Sequence, residues 1–151
     1  MEIERKFLVN NIPNLNEYPV VKMVQAYISA IPVIRIRQAD NQFFLTIKSS
    51  GAIVREEYEM AITKTEFTSL LKKVEGHIIE KKRYLIPLEN DLTAELDVFE
   101  GSLAPLTTVE VEFSSLEEAD SFIAPTWFGK DISLDYHYKN NNLSLKGLPE
   151  E

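Results

Sequence analysis

A chain of 151 residues, 44% apolar and 26% charged, has the make-up of one globular domain with a real core. Its formal net charge of −8 speaks against a general nucleic-acid binder, and its lack of cysteine excludes disulfides, thiolate metal sites and a thiol nucleophile. No stretch is long and apolar enough to span a membrane, and residues 1–20 lack a signal-peptide core, so a cytoplasmic protein without a membrane partner is expected.

The chain opens on Met1-Glu2-Ile3-Glu4-Arg5-Lys6-Phe7. Read as a strand over about 2–9, it places Glu2, Glu4 and Lys6 on one face. Ile3 and Phe7 take the other face, with Arg5 between them. Residues 10–19, rich in Asn and Pro, read as a loop. A mostly apolar strand over 20–30 carries Gln25 and Tyr27 on one parity. Pro32 separates it from 33–38, where Arg35 and Arg37 share a face opposite Ile34 and Ile36. The turn signal Asp40-Asn41 predicts a hairpin with 42–49, where Phe43, Leu45 and Ile47 alternate with Phe44, Thr46 and Lys48. Ser50-Gly51 turns again, and Arg55, Glu57 and Glu59 occupy one parity of the next strand.

Helical spacing then replaces alternation. Thr63 to Glu66 fits a capping box, and Phe67, Leu70, Leu71 and Val74 form a stripe on a helix over about 64–75, stopped at Gly76. Strand logic resumes over 78–85 with Lys81 and Arg83, and over 93–99 with Glu95 and Asp97. A loop at 101–105 leads to 108–113, where Glu110 and Glu112 oppose Val109, Val111 and Phe113. Ser115 to Glu118 is a second capping box, opening a helix over about 116–123. The tail carries Trp127-Phe128, read as a packing plug, then Asp135 and His137 on one parity, then an Asn-rich segment. With no repeat, linker or low-complexity tract, residues 1–151 read as a single domain.

The charged residues fall on one parity of nearly every strand, and the apolar residues on the other. A sheet buries its apolar face, so helices or a partner must cover that side. If the sheet closes into a barrel, the charged faces converge inside it. Such a lumen cannot be a dry core, because unpaired buried charge is very costly. Purely structural ion pairing is the bland alternative, and the number of strands involved argues against it. Arg and Lys clusters suit phosphate oxygens, while carboxylates without Cys or clustered His suit hard cations such as Mg²⁺. Together they describe a metal-chelated polyphosphate. There is no Walker loop, dinucleotide fingerprint or nucleophile elbow. His77, directly after Gly76, reads as a surface residue, and His137 as a candidate for the lumen.

Glu2-Ile3-Glu4-Arg5-Lys6 resembles the ExExK signature of the CYTH superfamily, the triphosphate tunnel metalloenzymes. The resemblance covers nearly the whole chain in order. It continues through Val24 to Ile28, Arg35-Ile36-Arg37, Thr46 to Ser49, Arg55 to Glu59, Lys81 to Tyr84, Glu95 to Phe99 and Val109 to Glu112. Trp127 to Lys130 with Tyr138-Lys139-Asn140 is similar to the tail of short bacterial members. One departure is His137, where many bacterial relatives carry Arg, so that a neutral imidazole removes a cation.

The resemblance implies an α+β fold: a closed antiparallel eight-stranded β-barrel, the triphosphate tunnel, with a few helices packed outside. It implies metal-dependent hydrolysis of a small-molecule triphosphate, inorganic tripolyphosphate first, with thiamine triphosphate hydrolysis or class IV adenylate cyclisation as alternatives. A module that binds polyphosphate without cleaving it is the third reading. Lys6, Arg35, Arg37, Lys48, Arg55, Lys81 and Arg83 are expected to hold phosphate oxygens. Glu2, Glu4, Glu57, Glu59, Asp97 and Glu112 are expected to bind Mg²⁺ or Mn²⁺. Glu2, Glu4, Lys6 and Lys81 carry the catalysis in this reading, and Glu95, Glu110, Asp135 and His137 support it. Two short helices supply little apolar cover, so some of Ile3, Phe7, Ile34, Ile36, Val109 and Val111 are expected to stay exposed and form a homodimer interface.

Overall fold

The alternating segments pair into one antiparallel sheet of ten strands, seen in a computed structural model that describes residues 1–149. In chain order these are β1 (Glu2–Val9), β2 (Val20–Ser29), β3 (Val33–Ala39), β4 (Gln42–Lys48) and β5 (Val54–Arg55). There follow β6 (Glu57–Ile62), β7 (Glu75–Pro87), β8 (Thr93–Phe99), β9 (Thr107–Glu112) and β10 (Phe128–Asp131). Neighbours run β10-β1-β9-β8-β7-β2-β3-β4-β6, and β5 returns to pair with β1.

Closure depends on one bent run. β5 and β6 flank Glu56; the first half lies on β1 and the second on β4, bringing the sheet's ends together. The seam consists of two residue pairs, Glu2 opposite Arg55 and Ile3 opposite Val54. The expected closed eight-stranded barrel is therefore corrected to a nearly closed one of ten strands. The count rises because the run 54–62 splits at its bend, and because β10 pairs with the remainder of β1's free edge.

Three helices pack outside: α1 (Lys64–Leu71), α2 (Leu116–Ser121) and α3 (Asn140–Lys146). At α1 the Thr63 hydroxyl accepts from the Glu66 amide at 3.1 Å, and the Glu66 carboxylate accepts from the Thr63 amide at 2.8 Å. Phe67 of α1 lies with its ring 5.1 Å from Phe43 and packs against buried Ile36. The helix ends at Leu71, short of the predicted 75, and Gly76 is not its stop. Gly76 lies in β7 at φ +68°, where a Cβ would come 2.7 Å from the Ser144 carbonyl oxygen of α3. The second capping box is half-formed: Ser115 accepts from the Glu118 amide, but the Glu118 carboxylate turns to the Ser114 amide.

The outer face of the barrel is covered at the positions expected to stay bare, while Ile47 of β4 and Tyr58 and Met60 of β6 remain exposed. Ile3, Phe7, Ile36, Val109 and Val111 are all buried, and Ile34 is half-buried. Phe122, Trp127 and Phe128, from the segment after α2, pack over Phe7 and Phe113, and α1 covers Ile36. Burying each such side chain is worth about 1.5–3 kcal/mol. These positions thus offer no exposed patch, which removes the ground on which a homodimer was expected. Arg5, also on this outer face, donates to the Ala119 carbonyl at the end of α2 and to Asp131 at 2.8 Å. Among the described residues no helix is long and apolar enough to cross a membrane.

Candidate functional site

Strand alternation places one charged parity inside the barrel, around a cavity of about 250 Å³. Its walls carry Glu2, Glu4 and Lys6 of β1, Arg35 and Arg37 of β3, Lys48 of β4, Arg55 of β5, and Glu57 and Glu59 of β6. Arg83 of β7, Glu95 of β8, Glu110 and Glu112 of β9, and Asp135 complete the expected set that lines it.

Three expected residues lie elsewhere. Lys81 and Asp97 have the inward parity but are fully buried behind the wall, their ammonium and carboxylate 2.6 Å apart. His137 turns outward, its ring stacked on Tyr136 and its Nδ1 2.7 Å from Asp135 Oδ1. The expectation that it reaches the lumen is not met, because the chain there forms a 3₁₀ turn capped by Asp135 rather than a strand. Conversely, Tyr27, Ser133, Tyr138, Lys139, Asn140 and Asn141 line the cavity without having been anticipated. Tyr27 was within reach of the parity argument through its alternation with Gln25. The tail residues gave no periodic signal; they arrive because residues after β10 fold back across the mouth. There the Tyr138 carbonyl accepts from Lys6 at 2.6 Å.

Most of the cavity's cations are paired with carboxylates across strands. Lys48 meets Glu2 at 3.0 Å, Arg55 meets Glu2 and Glu4 at 3.3 and 3.2 Å, and Arg37 meets Glu59 at 2.9 Å. Arg83 is clamped by Glu95 at 3.0 Å and by Asp97 at 2.8 Å, and Lys6 lies 3.7 Å from Glu110. Among the described residues Arg35 has no carboxylate partner; its guanidinium donates to the Thr46 hydroxyl at 3.5 Å. The Nε donors of Arg35, Arg37 and Arg55 are buried without an acceptor. Each such orphaned donor costs on the order of 1–3 kcal/mol, which an entering anion would recover.

The carboxylates are crowded as well. Strand register sets Glu4 directly opposite Glu112, and Glu95 opposite Glu110, where like charges destabilise a sheet. Burial, then repulsion from Glu110 and Glu2, pushes the Glu4 carboxyl up to about 8. Burial and a hydrogen bond to Glu2 raise Glu57 to about 7. Burial works against Glu110 too, but Lys6, Arg83 and Lys81 hold it well below the usual carboxylate range. A set of oxygen-only donors that repel one another suits a hard divalent cation. Among the described residues no three acidic side chains already form a metal cage. To hold a metal, the carboxylates would have to exchange their Lys and Arg partners for it, and an anion drawing those cations away would free them to do so.

These shifts predict a pH dependence. Between about pH 4.5 and 8 the folded chain keeps protons on Glu4 and Glu57 that the unfolded chain has released. Stability must then fall as pH rises. Lys81, lowered by burial to about 8, acts oppositely above that pH, where only the unfolded chain still holds its proton. In EDTA the melting temperature should therefore decline from pH 5 to 8 and stop declining beyond. A flat or rising profile from pH 5 to 8 would contradict this charge arrangement.

Comparison with known proteins agrees with the geometry. The sequence profile of the CYTH domain matches residues 1–140. An inorganic triphosphatase of Nitrosomonas europaea is 44% identical over 148 residues, covering 95% of this chain and 97% of the relative. An inorganic triphosphatase of Acetivibrio thermocellus is 34% identical over 146 residues, covering 94% and 92%. A crystal structure of an inorganic triphosphatase superposes with a TM-score of 0.73 at 41% identity, covering 99% of this chain and 97% of the other. A putative adenylate cyclase from Bacillus halodurans shares the fold at 17% identity, with a TM-score of 0.60 over 90% of this chain and 97% of its own. The ExExK strand, the charged barrel interior and a profile match that runs from Met1 into the tail lead to one conclusion: the chain belongs to the CYTH domain family.

Proposed function

We propose that this protein hydrolyses a small triphosphate, inorganic tripolyphosphate first, to pyrophosphate and orthophosphate inside the barrel. The observation that carries the reading is the set of buried Nε donors on Arg35, Arg37 and Arg55 that have no acceptor among the described residues, in a cavity lined by charge. Phosphate oxygens are the acceptors that match such donors in charge and planar geometry. The similarity to two inorganic triphosphatases supports the same substrate class.

Lys6, Arg35, Arg37, Lys48, Arg55 and Arg83 are assigned to the phosphate oxygens. Water attacks a terminal phosphorus, the bridging P–O bond breaks, and the cations stabilise the charge that grows on the leaving oxygen. Lys81 and Asp97 take part from behind the wall. Asp97 accepts from Arg83 Nε at 2.8 Å and from a terminal guanidinium nitrogen at 2.9 Å, fixing the plane in which Arg83 meets a phosphate. Glu2, Glu4, Glu57, Glu59 and Glu112 are the groups that would hold Mg²⁺ or Mn²⁺, with Glu95 and Glu110 supporting the neighbouring cations. Bound there, the metal would polarise phosphoryl oxygens and neutralise their charge.

The test is incubation of purified protein with tripolyphosphate, ATP or thiamine triphosphate, each with Mg²⁺, Mn²⁺ or EDTA. Metal-dependent orthophosphate release, fastest from tripolyphosphate, is expected. Cyclic AMP as the main product from ATP, with negligible tripolyphosphate cleavage, would reverse the assignment.

A further inference from the structure

The tail brings one more cation to the cavity. Lys139 is half-buried at the mouth, beside Lys6 and Arg55, and its ammonium donates to the Gly51 carbonyl at 3.0 Å. Lys6 and Arg55 have carboxylate partners, as do Arg37, Lys48 and Arg83. Among the described residues only Arg35 and Lys139, of the cations lining this cavity, have none. Arg35 is deep in the wall, so Lys139 is the uncompensated positive charge at the entrance.

The same side chain is also a partition. Behind the Lys139–Gly51 contact lies a second cavity of about 370 Å³, faced by Ile31, Pro32, Val33, Tyr136 and Leu145. Val33, Arg55, Lys139 and Asn141 belong to the walls of both cavities, and of these Lys139 is the flexible charged side chain without a carboxylate partner among the described residues. The first cavity is lined by charge and the second largely by apolar groups. Part of the boundary between them is a lysine held to a loop carbonyl by one hydrogen bond.

These two properties select between ends of a phosphate chain. A free terminal phosphate has a second ionisation near pH 6 and carries close to two negative charges at neutral pH. An esterified phosphate carries one, and brings an organic group that needs space beyond it. We propose that Lys139 is the specificity-determining residue of the site. It binds a free terminal phosphate at the mouth and closes the passage through which an ester substituent would enter the second cavity. The inference rests on the reading that the first cavity takes a polyphosphate, and adds that both ends of the preferred substrate are unesterified.

The experiment compares Lys139→Met and Lys139→Arg with the wild type. Binding of tripolyphosphate and of ATP is measured by calorimetry, with Mg²⁺ and with EDTA, alongside phosphate release. Loss of a hydrogen bond to a charged group predicts that Lys139→Met binds tripolyphosphate about tenfold or more weakly, with ATP changed by less than about threefold. The preference ratio therefore drops by about tenfold or more, and Lys139→Arg restores most of it. Should the methionine variant not fold, Lys139→Gln keeps a donor for Gly51 while removing the charge, and serves the same comparison. Equal weakening of both ligands, or an unchanged ratio in a wild type that binds tripolyphosphate, would overturn the role of Lys139. A wild type that binds no tripolyphosphate under any condition would overturn the polyphosphate reading itself, and this inference with it.

Discussion

Replacing Asp97 with asparagine is expected to destabilise the protein by about 3–5 kcal/mol, the range seen when one partner of a buried ion pair is removed. For a domain of this size that is a melting temperature lower by about 6–20 °C. Asp97 is fully buried and accepts from Lys81 at 2.6 Å and twice from Arg83, at 2.8 and 2.9 Å. Asparagine keeps the shape but leaves two cations facing a neutral amide, one of whose ends is itself a donor. Burial already lowers Lys81 to about 8 despite Asp97's attraction, so without the carboxylate Lys81 would shed its proton near neutrality. The paired variant Lys81→Met/Asp97→Leu removes the buried ammonium with its carboxylate and leaves Arg83 held by Glu95 alone, at 3.0 Å, so any recovery relative to Asp97→Asn reports the charge on Lys81. Thermal and urea melts measure both variants. A loss under about 1 kcal/mol in Asp97→Asn would show that the ion pair is not what holds β7 to β8 here.

Glu4→Gln should have the opposite signature: activity is lost and the fold is not. Glu4 faces Glu112 across the ladder, feels Glu2 and Glu110, and reaches only Arg55, at 3.2 Å, among the cations. Burial first, and then repulsion from Glu110 and Glu2, hold its carboxyl up to about 8. A glutamine removes that repulsion together with a carboxylate proposed to hold the divalent ion. Metal-dependent phosphate release should fall by about 10²-fold or more, the scale of the several kcal/mol that a bound metal contributes. Melting in EDTA at pH 8 should rise or stay unchanged, and the decline between pH 5 and 8 should become shallower. Rates within about threefold of wild type would remove Glu4 from the reaction.

Much of this site was legible in the sequence because the barrel translates period two directly into inside and outside. Glu2, Glu4 and Lys6, then Arg35 and Arg37, then Glu57 and Glu59, all appear on the cavity wall that alternation assigned them. What alternation does not encode is depth. Lys81 and Asp97 have the right parity, but both are fully buried and neither lines the cavity; Asp97 instead accepts from Arg83. The elements that escaped notice are short or irregular. β10 has four residues, too few for a pattern, and α3 begins in Asn140-Asn141-Asn142, poor helix formers with no capping side chain. Leu143 and the packing against β7 hold α3 in place, with Gly76 admitting its backbone, so its presence is a tertiary fact.

The position of β1 in the sheet has a consequence for synthesis on the ribosome. β1 is made well before most of its partners: Val54 and Arg55 of β5 follow early and cover only its first two residues, while Thr108 to Glu112 of β9 come about one hundred residues later, and then β10. At a translation rate of about 5–20 residues per second, the nascent segment waits on the order of 5–20 s for its neighbours. An exposed strand with Ile3 and Phe7 on one side is a template for pairing with other chains, and charges on the opposite side are the usual protection. Glu2, Glu4 and Lys6 supply that protection from the start. Residues drawn together later in the cavity thus serve first as gatekeepers that keep an unpaired strand apart from its copies on neighbouring ribosomes.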